Sequence, residues 1–524
     1  MARIIRFELN LLSRSLTAFV ILMLIPSILV QAQEKKKIKL IRADVLEYDE
    51  SLGHKARRLI GNVQFEHEGT LMDCDSAYLY STNSLDAFGH VHINKGDSMF
   101  TWCDKLFYDG ETKKAKALEN VKMDDGEMIL ESNVIHYDLE TDIANYYYGG
   151  KITSAKDTLT SLVGVYFSNQ NNFLFTESVE LRNPKYVMNC DSMLFNTESE
   201  VSFFFGPTTI VSDENTIYCE NGWFDTKKDV SQFNKNAVMY AKNQSIAGDS
   251  IFYDRNKGYG IAVCNVTIKD TVEKILIEGD YAEYFTKEDK VIMTERALLK
   301  QNMDGDTLYL HADTLYSFED TTLEKRILFA YHDVQFFKSD MSGRCDSLVY
   351  SYVDSTIRMF KDPVLWSEDN QLTADSIWIQ MRDSKIDQLF MRHNSLIVSE
   401  EDSLMFNQIQ GRHMIGQFNE GKLQRVNVRG NGETLYYTGE EGKNPDSVNK
   451  SESSDLDIHL DSNKVERIVF LGQPTAKLTP LKNVSISELK LGRFQWLHEY
   501  RPLNQWAIFE WKAREVKAKK KRRR

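Results

Sequence analysis

Residues 248–254 read Gly248-Asp-Ser-Ile-Phe-Tyr-Asp254, and near-copies of this septet recur along most of the chain. The shared form is a small residue, usually Asp next, an apolar residue fourth and usually an aromatic sixth. Copies begin at Ala43, Cys74, Cys103, Ser132, Ser161, Cys190, Cys219, Gly248, Gly279, Ala312, Cys345 and Ala374, most of them 29 residues apart and the rest 31 or 33. A fixed period of this size marks a stack of like units, none able to bury its apolar face alone. Stacking also accommodates the length: 524 residues exceed the ~250–300 at which one compact core stops growing.

Within a unit the septet forms the end of a first strand, as in Cys103-Asp-Lys-Leu-Phe-Tyr-Asp109. A polar turn such as Arg255-Asn-Lys-Gly258 follows. A second strand is expected to start about sixteen residues into the unit, at Gly61-Asn-Val-Gln-Phe65, Gly89-His-Val-His-Ile93, Glu119-Asn-Val-Lys-Met123, Cys264-Asn-Val-Thr-Ile268 and His332-Asp-Val-Gln-Phe336. Alternation of period two places one face of each strand inside. Fourth and sixth positions share that face, so stacking aligns Leu46, Leu106, Ile135, Met193 and Ile251 in one column. Tyr48, Tyr108, Tyr137, Phe195 and Tyr253 form the other. The expected fold is all-β, an elongated stack of about twelve ~29-residue repeats over 39–405. A closing β region spans 406–480 with a mobile polar loop at 439–455, and 481–524 reads partly as helix, forming a cap and a basic tail.

Composition narrows the function. The chain holds 64 Lys and Arg against 77 Asp and Glu, a formal charge of −13, which argues against general nucleic-acid binding. Residues 1–32 read as a secretory signal: Arg3, Arg6 and Arg14 precede the apolar run Leu16–Val30, with Ala32 as a small residue at the cleavage site. That run is shorter than the ~20 residues a spanning helix needs, so the mature chain is expected outside the cytoplasm. Cys74, Cys103, Cys190, Cys219 and Cys345 all stand first in the septet, where other copies carry Gly, Ala or Ser. They read as small buried residues with free thiols. Lys517 and Lys519 to Arg524 form a basic end that reads equally as a solubilising tail or as one suited to lipid phosphates or an anionic membrane surface.

Three motifs invite chemistry, and in each the repeat offers a simpler account. Asp stands second in nine septets, among them Asp44, Asp75, Asp104, Asp249 and Asp375; a recurring side-chain hydrogen bond explains it better than a cation ladder. Gly248-Asp-Ser250 resembles an esterase nucleophile block, but Cys74-Asp-Ser76 and Ala374-Asp-Ser376 are its repeats, and no Gly-x-Ser-x-Gly occurs. His90 and His92 share a strand face without a His-Glu-x-x-His context, which favours packing over metal ligation. No catalytic residue, metal or cofactor is assigned.

The pairing of Ala43-Asp-Val-Leu-Glu-Tyr-Asp49 with Gly61-Asn-Val-Gln-Phe65, echoed at Gly430-Asn-Gly-Glu-Thr-Leu-Tyr-Tyr437, resembles the OstA family, also called organic-solvent-tolerance or LptA-like. The resemblance runs from about Lys39 to Leu471. It implies a twisted β-jellyroll whose interior holds the acyl chains of lipopolysaccharide between inner and outer membrane. It also implies other envelope transport proteins docking by strand addition at the open sheet ends, and a periplasmic location. The wall residues this assigns to lipid are Leu106, Tyr108, Ile135, Tyr137, Met193, Phe195, Ile251 and Tyr253. The competing expectation is a structural or adhesive β-solenoid with no cargo.

Overall fold

The computed structural model describes residues 37–512 apart from 50–55, 97–98, 214, 304, 321, 324, 384, 403, 420–421, 440–443 and 462–463. The expected signal segment and basic tail lie outside the described residues. Strand makes up 73% of the structure and helix 4%, so the fold is all-β. Strands pair antiparallel in chain order: Thr70–Leu79 lies between Ala56–His67 and Leu85–Lys95, and the same step repeats up the stack.

Several long strands, among them Ala56–His67, Lys114–Asp124 and Tyr259–Asp270, bend near the middle. The bend is a pair of consecutive left-handed residues: Gly61 and Asn62 (φ 77° and 48°), Glu119 and Asn120 (63° and 50°), Cys264 and Asn265 (58° and 52°). Pairing slips at each pair, between Ile60 and Val63, Leu118 and Val121, and Val263 and Val266. The sequence reading placed strand starts at these Gly-Asn and Glu-Asn signals; they are instead mid-strand corners, bulges that turn the strand from one wall to the other. On Thr70–Leu79, Met72 and Cys74 lie before Asp75, which stands opposite the corners of both neighbouring strands, Ala77 and Leu79 lie after it, and all four enter one core cluster. The sheet is therefore folded over into two walls around a shared interior, the jellyroll-like arrangement.

A left-handed non-glycine residue costs roughly 1–2 kcal/mol, and the Asp column offsets that cost. Asn62 Nδ2 donates to Asp44 at 2.8 Å, Asn120 to Asp104 at 2.7 Å, Asn265 to Asp249 at 2.9 Å and Asn394 to Asp375 at 2.8 Å. The Asp44 and Asp375 backbone N–H groups donate to the carbonyls of Gly61 and His393 at 2.9 and 3.0 Å. The recurring aspartate is a corner clamp.

Two septets carry glycine fourth, Gly164 and Gly222. In each an aromatic from the preceding unit occupies the space: Tyr146 would meet a Cβ on Gly164 at 2.4 Å, and Phe204 one on Gly222 at 2.6 Å. Gly260 yields in the same way to Tyr284, whose ring lies 1.9 Å from an added Cβ and stacks on Tyr253 at 5.9 Å. Gly260→Val is expected to expel that ring and lower stability by about 1–3 kcal/mol, read as a drop in thermal midpoint; an unchanged midpoint would contradict the packing.

Two expectations are corrected. The polar stretch 439–455 is not one loop, because Ser447–Asp461 is a strand paired to Lys422–Thr438 on one side and Thr475–Pro480 on the other. Its alternation is concealed by serines at inward places: Ser451 and Ser453 are buried on the same side as Leu456. Residues 481–512 form four single 3-10 turns joined by extended chain. They do not cap the stack end but run back along the outer face of one wall as a strap.

Three buried glutamines of the sheet hold the strap by its backbone. Gln408 donates to Leu489 O at 2.9 Å and accepts from Leu491 N at 2.8 Å. Gln371 does the same with Gln495 O and Leu497 N at 2.7 and 2.6 Å. Gln335 donates to Ile508 O and Glu510 O at 3.0 and 3.1 Å. Beneath the strap, Leu491 packs with Leu435, Tyr437 and Val448, while Leu497 packs with Val364 and Trp366. Arg344 is buried against the Trp511 ring, 3.8 Å from its centroid.

Candidate functional site

The interior is the candidate site. Leu106, Ile135, Met193 and Ile251, all fourth in their septets, are buried. Tyr108, Tyr137, Phe195 and Tyr253, all sixth, are half-buried; Tyr108 packs against the N-terminal core, and Phe195 and Tyr253 against the main one. The columns do not reach the N-terminal end inward, however: Leu46 and Tyr48 are 53% and 54% exposed. Among the described residues their strand, Val45–Asp49, pairs only with Ala56–His67, so no second described neighbour closes over them.

The core is mostly filled, and it is divided. Buried side chains from Leu59 to Ile135 form one cluster, those from Ile152 to Ile458 another, and half-buried Leu130 touches both. Ile251, Ala262 and Met293 are wholly inaccessible, so the middle of the stack is sealed. A cavity of about 290 Å³ opens at the N-terminal end of the larger cluster. One wall supplies Phe173, Phe175, Met193 and Phe195; the other supplies Ile152, Leu159, Leu181 and Tyr186. The turns bearing Lys156 and Asp157 and Glu200 stand at its mouth, at the strand ends opposite the corners. Met193 and Phe195 are thus the sequence-selected residues that this opening brings together; Leu106, Tyr108, Ile135, Tyr137, Ile251 and Tyr253 lie elsewhere along the stack. Sequence reading missed Phe173, Phe175 and Leu181, which stand on the paired strand Asn172–Asn183 rather than in a septet.

The lining is apolar and partly pre-stacked, with Phe173 against Phe175 at 5.5 Å and against Tyr166 at 4.2 Å. The rim carries Glu127, Asp157 and Glu200 against Lys156. Charge therefore does not draw an anionic headgroup here, and any affinity must come from chain burial. A segment of about six methylenes seated in the cavity would gain ~5 kcal/mol.

The other motifs resolve into structure. His90 is a corner residue bound to Asp75 at 2.7 Å, which together with the aspartate charge raises its pKa above the ordinary value. His92 instead stacks on Trp102 at 5.3 Å, so the pair does not converge. Ser250 donates to Asn234 at 2.7 Å and accepts from Gln232 at 3.0 Å, the bonds of a packed strand. All six cysteines are free, five of them buried. Burial, followed by the Asp75 charge, pushes the Cys74 thiol up to about 12, and burial pushes Cys219 up to about 12, which leaves both unreactive. Among the described residues no group of three or more His, Cys, Asp or Glu is placed to hold a metal ion.

This two-walled repeat, with its corner clamps, has a counterpart among known families. Residues 35–191 match the sequence model described as OstA-like protein. The N-terminal repeats are OstA-like. Past the matched region the same left-handed corners recur as far as Gly430 and Asn431. Among solved structures, LptH of Pseudomonas aeruginosa, the LptA-homologous periplasmic component of its lipopolysaccharide transport device, aligns at 12% identity. That alignment covers 20% of this chain and 79% of LptH with a TM-score of 0.19, too remote to bear on geometry or function. No curated protein sequence matches the chain.

Proposed function

We propose that this chain is a non-enzymatic envelope protein that shields the acyl chains of lipopolysaccharide or a related lipid, acting in the periplasm. The apolar cavity between Phe173, Phe175, Met193 and Phe195 supports the reading most directly, because it opens an apolar space into the stack beside its OstA-like repeats. An acyl chain in water costs about 0.8 kcal/mol per CH₂, so even a partial seat favours transfer out of a membrane. Docking to other transport proteins by strand addition fits the edge of Lys39–Arg42 and Val45–Asp49, unpaired among the described residues on one side, where Val45, Leu46 and Tyr48 are exposed. The sealed middle of the stack favours the alternative, a structural β-solenoid without cargo.

Mass spectrometry of the gently purified protein separates the two. Bound lipid is expected, and Phe195→Asp, at a half-buried lining position, is expected to reduce it at least tenfold with little change in melting temperature. Wild-type protein free of lipid would favour the solenoid, and lipid retained undiminished by Phe195→Asp and Leu181→Asp would place the cargo elsewhere.

A further inference from the structure

A second cavity, about 390 Å³, lies on the outer face where the strap ends. Its floor is made by outward side chains of four neighbouring strands: Thr267, Glu278, Lys300 and Tyr309. Their inward neighbours Ile268, Ile277, Leu299 and Leu310 belong to the core, so the cavity is separate from the interior. Its wall is the strap, through Gln505, Trp506 and Phe509. Phe509 is fixed from the sheet by His311, ring centroids 4.5 Å apart, and by the Arg296 guanidinium 6.0 Å from its centroid.

Two features mark this place. Trp506 is 71% exposed at the cavity edge, although an indole normally buries most of its large apolar face. The corner here carries Arg296 where Asn62, Asn120 and Asn265 clamp their aspartates. Arg296 turns to the strap instead, and Asp280 has no side-chain hydrogen bond to a described residue. An exposed indole face, two carboxylates and two cations therefore converge on one concavity. Glu278 and Lys300 neutralise each other at 2.6 Å, and Asp280 balances Arg296, so the site does not select a charged ligand.

We infer that this cavity binds a saccharide. A pyranose offers an apolar C–H face to Trp506 and vicinal hydroxyls to Asp280, Lys300 and Arg296, a match to both halves of the site. The shared chemistry is a hydroxyl-rich ring; its sources are the sugar portion of a lipid or the glycan of a cell wall. The inference does not rest on the lipid reading, since no interior residue takes part.

The test uses the full chain and two probes, delipidated lipopolysaccharide core oligosaccharide and a disaccharide muropeptide, followed by saturation-transfer NMR and calorimetry. Binding of one probe is expected with Kd on the order of 0.1–1 mM, and which probe binds identifies the source. Trp506→Ala and, separately, Asp280→Asn are expected to weaken it at least tenfold and threefold, with the melting temperature unchanged. Silence of both probes to about 10 mM, or binding unaltered in both variants, would overturn the assignment.

Discussion

Ending the chain at Pro480 is expected to leave a protein that aggregates or melts far below the full-length chain. The strap buries Leu491, Leu497 and Ile508 against the sheet, and at ~1.5–3 kcal/mol for each such side chain their loss removes about 5–9 kcal/mol. The sheet side fares worse, because Trp366, Val364 and Leu435, now at most 1% exposed, would face water. Gln335, Gln371 and Gln408 would lose the backbone partners they were buried to meet. Dye binding to exposed apolar surface together with a calorimetric scan of the truncated protein checks this. A truncated chain with the full-length midpoint and no dye binding would mean that the strap is ornamental.

Ile251→Asp is expected to unfold the centre of the stack. Ile251 is wholly buried in the sealed part of the core. It faces Phe233 on one strand and Ala262 on the other, with no cationic group in its pairing. A carboxylate there must be desolvated without a partner, at a cost of several kcal/mol even after it takes up a proton. Raising the pH should make matters worse, since the folded-state pKa would lie above the unfolded value and the folded state would lose its bound proton. Denaturant titration at two pH values reads both effects. The contrast with Phe195→Asp is informative: equal damage at both positions would argue that the cavity beside Phe195 is closed in solution.

How much of this was legible beforehand depends on what each residue displays. The septet made the period plain, because an apolar fourth and aromatic sixth place recur at positions that stacking must align. A glycine such as Gly61, Gly89 or Gly430 marks a positive φ at some corners; Glu119, Lys235, Cys264 and Lys361 adopt the same conformation without advertising it. The strand Ser447–Asp461 escaped because small serines, not apolar residues, occupy some of its inward places. The strap did leave a signal: Val364-Leu365-Trp366 and Leu396-Ile397-Val398 are unbroken apolar runs in which both faces are buried. Continuous runs of that sort mean cover on both sides, and only one side could be the shared core. The cavity left none, since it arises from how far apart two walls stand at one unit, a distance no local pattern encodes.

The strap also changes how the molecule should come apart. A tandem array coupled only through nearest neighbours frays from its ends and melts piecemeal. By fastening three separate rungs, at Gln335, Gln371 and Gln408, a single length of chain ties their fates together. The C-terminal half should therefore melt as one cooperative block, while the N-terminal rungs, which lack any such tether among the described residues, peel away one by one.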